Sequence, residues 1–350
     1  MSTFPINTTM PNSAVDRLQR PLRSLRVSVI DRCNLRCRYC MPEERYAWLP
    51  KGDLLGADEI EQTVSAFAKL GVDRVRITGG EPLLRARLEE IVERIAHISS
   101  ISDLAMTTNG MQLAQRADDL RRAGLRRVTI SLDSLDRARL QHLTRRDALD
   151  SVLRGIDAAI TAFDTVKINT VVIRDFNDDE LVDLIEYGKG LGAEIRFIEY
   201  MDVGGATNWS QNQVVDRREI LTQLEQHYGP IATDGVQGAA PAARFRLQDG
   251  TRFGIIASVS QPFCGACDRS RLTADGLWYL CLYAGQGHDL RTQLRAGVDR
   301  QTLVDYIRST WEERSDRGAE VRLETPARGA LFQIDDLRED PHREMHTRGG

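Results

Sequence analysis

The sequence predicts an α/β protein. Six short apolar strands alternate with amphipathic helices between Leu25 and Glu199, a glycine stands where the first helix should stop, and no repeat of fixed period is visible. Strands separated by helices pair in parallel, because a helical crossover returns the chain to the start of the next strand. Leu25, Val27, Val29 and Ile30 begin the series. A helix over 58–70 follows, with Ile60, Val64, Phe67 and Ala68 on one face and Gly71 placed to end it. The alternation continues as strand 72–78, helix 88–98, strand 103–107, helix 112–122 and strand 127–132. A helix near 151–163, strand 166–172, helix 178–190 and strand 194–199 complete it. Such strands fit either an open doubly wound sheet or a curved, barrel-like one.

Outside this core the signals change. Residues 203–212 are rich in Gly, Asn and Ser and read as a loop, and 217–227 read as a helix. After Gly229, Pro230 and the small-residue run 238–243, shorter strands are expected at 244–247, 253–259 and 271–281. These features place a domain boundary near residue 230, with 25–230 as the main domain and 231–350 as a smaller α+β domain. Residues 1–24 contain Pro5, Pro11 and several Asn, Ser and Thr without periodicity, and are expected to form a flexible tail.

Composition narrows the function classes. The 350 residues are 41% hydrophobic and 28% charged, the balance of a soluble protein with a sizeable core. A formal net charge of -4 supplies no basic field, which argues against a general nucleic-acid binder. No run approaches the roughly 20 apolar residues of a membrane span, and no apolar signal core opens the chain, so the expected location is cytoplasmic. Of 47 basic residues only Lys51, Lys69, Lys167 and Lys189 are lysines; a lone arginine is therefore weak evidence of function here. Six cysteines gathered at two places in a reducing compartment read as metal ligands or redox groups rather than disulfides.

Cys33, Cys37 and Cys40 form C-x-x-x-C-x-x-C just after the first strand. Three thiolates on one short loop can reach one four-iron cluster and leave one iron free to bind another molecule. A three-ligand zinc site is the alternative, but zinc signatures usually come as paired C-x-x-C units or with histidines nearby. Thr78-Gly79-Gly80-Glu81-Pro82 ends the second strand, where paired glycines let the backbone approach a ligand. Thr107-Thr108-Asn109-Gly110, Ser131-Leu132-Asp133 and Met201 follow the third, fourth and sixth strands, on the edge where ligand-binding loops collect. The cysteine spacing and the G-G-E-P turn resemble the radical S-adenosylmethionine superfamily. That resemblance implies a partial (βα)6 TIM-type barrel in which a [4Fe-4S] cluster on Cys33, Cys37 and Cys40 holds S-adenosylmethionine. Tyr39, Gly80, Ser131 and Met201 would then surround the cofactor.

A second triad closes the cysteine count: Cys264-x-x-Cys267, then Cys281 after thirteen residues. Arg269 and Arg271 follow Cys267 at alternate positions, so on a strand they project to one side. In so arginine-rich a chain this could be a solvated pair; beside an open cluster, a phosphate or purine clamp gains weight. C-x-x-C-x-R-x-R-L with a third cysteine downstream is similar to the auxiliary-cluster domain of the GTP 3',8-cyclase family of molybdenum cofactor biosynthesis. Leu25-Arg26-Val27-Ser28, Arg76 to Pro82, Val166 to Thr170, Arg196 to Met201 and the terminal Gly349-Gly350 add to the likeness, whereas 314–343 have no clear counterpart and read as an insertion.

The family resemblance implies a second [4Fe-4S] cluster on Cys264, Cys267 and Cys281, with Arg26, Arg76, Thr107, Lys167, Arg196, Arg269, Ser270 and Arg271 gripping GTP. It also implies a Gly-Gly tail reaching the active site. A 5'-deoxyadenosyl radical would take hydrogen from ribose C3', and the carbon radical would attack purine C8 to give 3',8-cyclo-7,8-dihydro-GTP. The implied partners are a low-potential electron donor, a second copy in a homodimer, and a downstream cyclic pyranopterin monophosphate synthase that shares the intermediate. The alternative is a radical enzyme that modifies a peptide, a group that also adds C-terminal clusters but commonly with further cysteines, of which none is left here.

Overall fold

The computed structural model describes residues 13–326 and 328–349. Strands β1 (Ser24–Ser28), β2 (Arg74–Thr78), β3 (Asp103–Thr108), β4 (Arg127–Ser131), β5 (Val166–Val172) and β6 (Glu194–Glu199) are parallel neighbours in chain order. Helices α1 (Ala57–Ala68), α2 (Leu88–Ala96), α3 (Ala117–Arg122), α4 (Arg137–Thr144), α5 (Leu149–Ala162), α6 (Leu181–Leu191) and α7 (Arg217–Tyr228) accompany them. The order decides between the two sheets that the sequence allows. A doubly wound sheet reverses strand order to put helices on both faces; here the order never reverses, and crossovers of one hand put all the helices on one side. Consistently, α1 packs on α2, α2 on α3 and α3 on α5. The helices wrap one face and the other turns inward, as in a barrel.

Side chains sort by strand parity. Val27, Ile77, Met106, Val128, Ile130, Ile168 and Phe197 are buried in one continuous apolar core with the helices. The alternate positions, Arg26, Arg76, Thr107, Ser131, Lys167, Asn169 and Arg196, line the interior.

Strands after residue 230 extend both edges of the same sheet. β7 (Ala232–Thr233), β8 (Ala243–Arg246) and β9 (Arg252–Ile256) lie beyond β6, with β9 parallel to it. β10 (Arg269–Leu272) is parallel to β1 on the opposite side and leads to β11 (Leu277–Tyr279) and β12 (His288–Asp289). The boundary expected near 230 therefore crosses a continuous sheet. The strand expected over 271–281 is instead the β10–β11 hairpin: the Thr273 hydroxyl donates to Asp275 at 2.6 Å and Gly276 takes φ 91°, turning the chain.

Other expectations also change. Residues 13–24 are packed, with Ala14 and Leu22 buried and Val15 bridging Pro21; Asp16 orders them by accepting from the backbone N–H groups of Leu18 and Arg20. Local side-chain bonds thus replace periodicity, and the rest of the expected tail, 1–12, lies outside the described residues. The helix expected over 112–122 is a 3-10 turn, Leu113–Gln115, followed by α3. There α5 passes so close that a Cβ on Gly155 would stand 2.2 Å from the Gly110 carbonyl. The C-terminal part adds α8 (Arg291–Arg295), α9 (Arg300–Glu312), α10 (Gly318–Leu323) and α11 (Ile334–Glu339). α9 buries Leu303, Val304, Ile307 and Trp311 and packs on α1, under an N-cap in which Asp299 accepts from Gln301 and Thr302. The described residues of 314–343 are tied into the fold: Arg322 and Arg328 both pair with the fully buried Asp202.

Candidate active site

The interior holds a cavity of about 590 Å³ onto which all six cysteines open. Its wall includes Tyr39, Gly80, Ser131 and Met201, and also Arg26, Arg76, Thr107, Lys167, Arg196, Arg269 and Arg271. Ser270 is not in that wall. It sits at 1% exposure between the two arginines of β10, facing away from them, and its hydroxyl has no hydrogen-bond partner among the described residues. Strand alternation that brings Arg269 and Arg271 inward necessarily turns Ser270 outward.

One end of the cavity is built by the loop after β1. Burial and the neighbouring Asp133 push the Cys37 thiol well above its ordinary pKa; burial and Glu81 push Cys33 up to about 11. Burial with Cys33, Glu344 and Asp133 does the same for Cys40. Asp133 is locked in place, accepting from the Tyr39 hydroxyl at 2.9 Å and the Val171 N–H at 2.8 Å, and burial raises it to about 6. Glu81 is likewise raised to about 6 by burial while it accepts from Leu83 N, Asn109 N and the Thr108 hydroxyl. Glu81 thereby ties the second strand's turn to the third's. Gly80 is required at that turn: a Cβ there would stand 2.4 Å from the Arg32 carbonyl.

The other end is cationic. Arg26 is held well below its ordinary pKa by burial and by Arg271, Arg76 and Arg269. Arg76 is lowered to about 9 by burial, Arg127 and Arg196, and Arg271 to about 10 by burial and Arg269. Lys167, lowered to about 8 by burial and Arg196, is only partly offset by Glu194 at 3.2 Å. Cations that repel one another inside a cavity are stabilised by a polyanionic ligand. Arg74 and Arg127 join this wall and were not anticipated, although both share the inward parity of Arg76 and Ser131. The C-terminal segment closes the cavity: Met345 and His346 line it, and the Gly349 carbonyl accepts from Arg26 at 3.0 Å and Arg271 at 2.7 Å. The reading of Gly350 lies outside the described residues.

Six unpaired thiols open into one buried space, and thiolates are the donors that an iron–sulfur cluster takes. Among the described residues no three His, Cys, Asp or Glu side chains are arranged for a single metal ion. Cluster ligands reach different irons and so stand further apart than the ligands of one ion. Burial that disfavours bare thiolates at Cys37 and Cys40 suits ligands whose charge a metal neutralises.

Residues 27–188 match the radical S-adenosylmethionine superfamily, and residues 193–320 match the family described as Molybdenum Cofactor Synthesis C. The fold agrees: a structure of Streptococcus suis SuiB bound to S-adenosylmethionine is similar at TM-score 0.59 and 16% identity, over 83% of this chain and 69% of that one. Radical S-adenosylmethionine enzymes carry a [4Fe-4S] cluster that binds this cofactor. Among curated relatives, a protein of Mycobacterium bovis named GTP 3',8-cyclase 3 is 52% identical over 340 residues, 96% of this chain and 90% of its own length. The GTP 3',8-cyclase of Aquifex aeolicus is 46% identical over 312 residues, 88% of this chain and 94% of its own. The chain belongs to the GTP 3',8-cyclase family. No helix among the described residues is long and apolar enough to cross a membrane.

Proposed function

We propose that this cavity cyclises GTP to 3',8-cyclo-7,8-dihydro-GTP, the first step of molybdenum cofactor biosynthesis, with a second [4Fe-4S] cluster on Cys264, Cys267 and Cys281. The observation that carries the reading is that both cysteine triads open onto one cavity whose far wall is a buried cluster of arginines and Lys167. When bound, the reduced first cluster and S-adenosylmethionine would supply a 5'-deoxyadenosyl radical able to take hydrogen from ribose C3'; C3' would then join purine C8, and one further electron from the low-potential donor with one proton would complete the 7,8-dihydro product.

This chain's residues hold and orient. Cys33, Cys37 and Cys40 bind the first cluster, and Tyr39, Gly80, Ser131 and Met201 surround the cofactor. Asp133, fixed by Tyr39 in the cavity wall, would offer a carboxylate to the cationic sulfonium ligand when it is bound. Arg26, Arg76, Lys167, Arg196, Arg269 and Arg271 grip the triphosphate and purine, and Thr107 presents its hydroxyl from the same wall. Gly349 brings the tail onto Arg26 and Arg271, both of which donate to its carbonyl. Holding C3' within reach of the radical is a positioning task, for which a rigid polar wall suffices.

The reading includes a low-potential one-electron donor, delivery of product to cyclic pyranopterin monophosphate synthase, a cytoplasmic location and a homodimer, the last tested by sedimentation. Residues 25–230 are the cofactor-binding part and 231–350 the part that carries the second triad. A peptide-modifying activity is disfavoured by the relatives' names and by the Molybdenum Cofactor Synthesis C match. The test is anaerobic turnover of reconstituted protein with S-adenosylmethionine, dithionite and GTP, followed by mass spectrometry. GTP-dependent 5'-deoxyadenosine with a cyclised nucleotide upholds the reading. 5'-Deoxyadenosine without a GTP product keeps the superfamily and removes the substrate.

A further inference from the structure

Behind the second triad lies a buried ion network that takes no part in the cavity wall. Arg314 donates from Nη1 to the Cys267 carbonyl at 3.1 Å and to Asp16 at 3.3 Å, and from Nη2 to Cys267 Sγ at 3.6 Å. Arg20 donates to the Cys264 carbonyl at 2.9 Å, to the Asp316 carbonyl at 2.7 Å and to Asp16 Oδ2 at 2.6 Å. The side chains of Asp16, Arg20 and Arg314 are each at most 1% exposed. The guanidinium of Arg314 stacks 4.4 Å from the Trp311 ring, which fixes its plane. Arg269 adds a second N–H donor to Cys267 Sγ, also at 3.6 Å.

Two features distinguish this from an ordinary structural ion pair. One buried carboxylate serves two buried guanidiniums; the remaining acid, Asp316, is a third exposed and 3.7 Å from Arg314 Nε. An uncompensated buried cation is costly, and with the second acid partly exposed, negative charge at Cys267 stabilises the set. The donors also discriminate between the triads. Cys267 Sγ receives two cationic N–H groups, whereas Cys33 Sγ receives the neutral Leu35 N–H at 3.4 Å and Asn109 amide at 3.8 Å. Hydrogen bonds and positive charge at ligand sulfurs favour the more negative, reduced form of an iron–sulfur cluster.

We propose that Arg314, clamped by Asp16, positions Cys267 and raises the reduction potential of the second cluster; this rests on the reading of Cys264, Cys267 and Cys281 as that cluster's ligands. Arg314 is a positioning residue: it reaches the reacting groups only through Cys267. Removing its guanidinium withdraws one of two donors from the sulfur and leaves Arg269 as the sole cation there.

The test is a potentiometric titration of the reconstituted holoenzyme followed by electron paramagnetic resonance. The signal that S-adenosylmethionine leaves unchanged is assigned to the second cluster. In Arg314→Gln the reduced-to-oxidised ratio of that signal at a fixed potential is expected to fall about tenfold, equivalent to about 59 mV for a one-electron couple. Arg314→Lys, which keeps the charge but not the forked donors, should fall less, and the first cluster's signal should not move. Selective loss of the second cluster from Arg314→Gln with recovery in Arg314→Lys also fits, because the cation is what the native and Lys proteins share. If Arg314→Gln does not fold, Arg314→Lys is read alone: a fall smaller than tenfold in the second cluster's signal upholds the proposal, and an unmoved potential overturns it. A full iron and sulfide content with an unmoved potential overturns the proposal, as does loss of the second cluster from both variants. Iron and sulfide for only one cluster in the native protein would instead remove the two-cluster reading.

Discussion

Carboxylates dominate the surroundings of Cys33, Cys37 and Cys40, where Asp133, Glu81 and Glu344 add to burial in raising the thiols. Around Cys267 guanidiniums dominate: burial would raise the thiol, but Arg269 and Arg314 bring it down to about 7. The two triads share one cavity, yet Cys267 sits in a field opposite to that of the first triad. The difference matches the charge of the ligand proposed for each end, since S-adenosylmethionine carries a cationic sulfonium and GTP a polyanionic triphosphate. Electrostatic complementarity of this kind gives each ligand one orientation in a space that could otherwise admit either. It also predicts that the triads fail in different ways.

The largest effects should come from the cysteines themselves. Cys37→Ser should abolish 5'-deoxyadenosine and cyclised product together, because both require the first cluster. Cys281→Ser should leave S-adenosylmethionine binding largely intact and lose cyclisation by about a thousandfold or more, the scale expected when one member of an obligate set is removed. The two are compared by equilibrium dialysis and mass spectrometry. Retained cyclisation in Cys281→Ser would break the division of labour between the ends.

The next effect belongs to the cationic wall. Arg76→Ala should weaken GTP binding by roughly 10- to 100-fold, the loss of a buried charge-assisted contact, with S-adenosylmethionine affinity unchanged in calorimetry. A smaller, pH-dependent effect follows from Lys167, which burial and Arg196 bring down to about 8. Below that pH the amine is protonated and attracts the triphosphate; above it the charge is lost. GTP binding should therefore weaken by several-fold between about pH 7 and 9, and Lys167→Arg, which stays protonated, should flatten the profile. A profile equally steep in Lys167→Arg would assign the titration to another group.

Much of this was legible in the sequence because it rests on local regularities. Strand spacing, C-x-x-x-C-x-x-C and the G-G-E-P turn are short-range signals, and all six parallel strands appear close to where periodicity put them. What was missed depends on contacts distant in sequence. Arg314 reaches Asp16 across 298 residues, whereas Asp16 and Arg20 order their segment by local side-chain bonds that leave no periodicity to read. Arg74 and Arg127 could have been found by carrying strand parity through from Arg76 and Ser131, but in a chain with so many arginines neither stands out alone.

Ser270 carries the smallest expected effect and tests the parity rule most directly. The strand that aims Arg269 and Arg271 at the cavity leaves this hydroxyl on the opposite face, buried and without a partner among the described residues. A buried hydroxyl without a partner contributes no hydrogen bond to lose, and its removal relieves a desolvation cost. Ser270→Ala should therefore change GTP affinity by less than about twofold and leave stability unchanged or raised by up to about 1 kcal/mol, read by calorimetry and chemical denaturation. Weakening of GTP binding on the scale of Arg76→Ala would mean that β10 turns its other face to the substrate. The cationic end would then have to be assembled without Arg269 and Arg271.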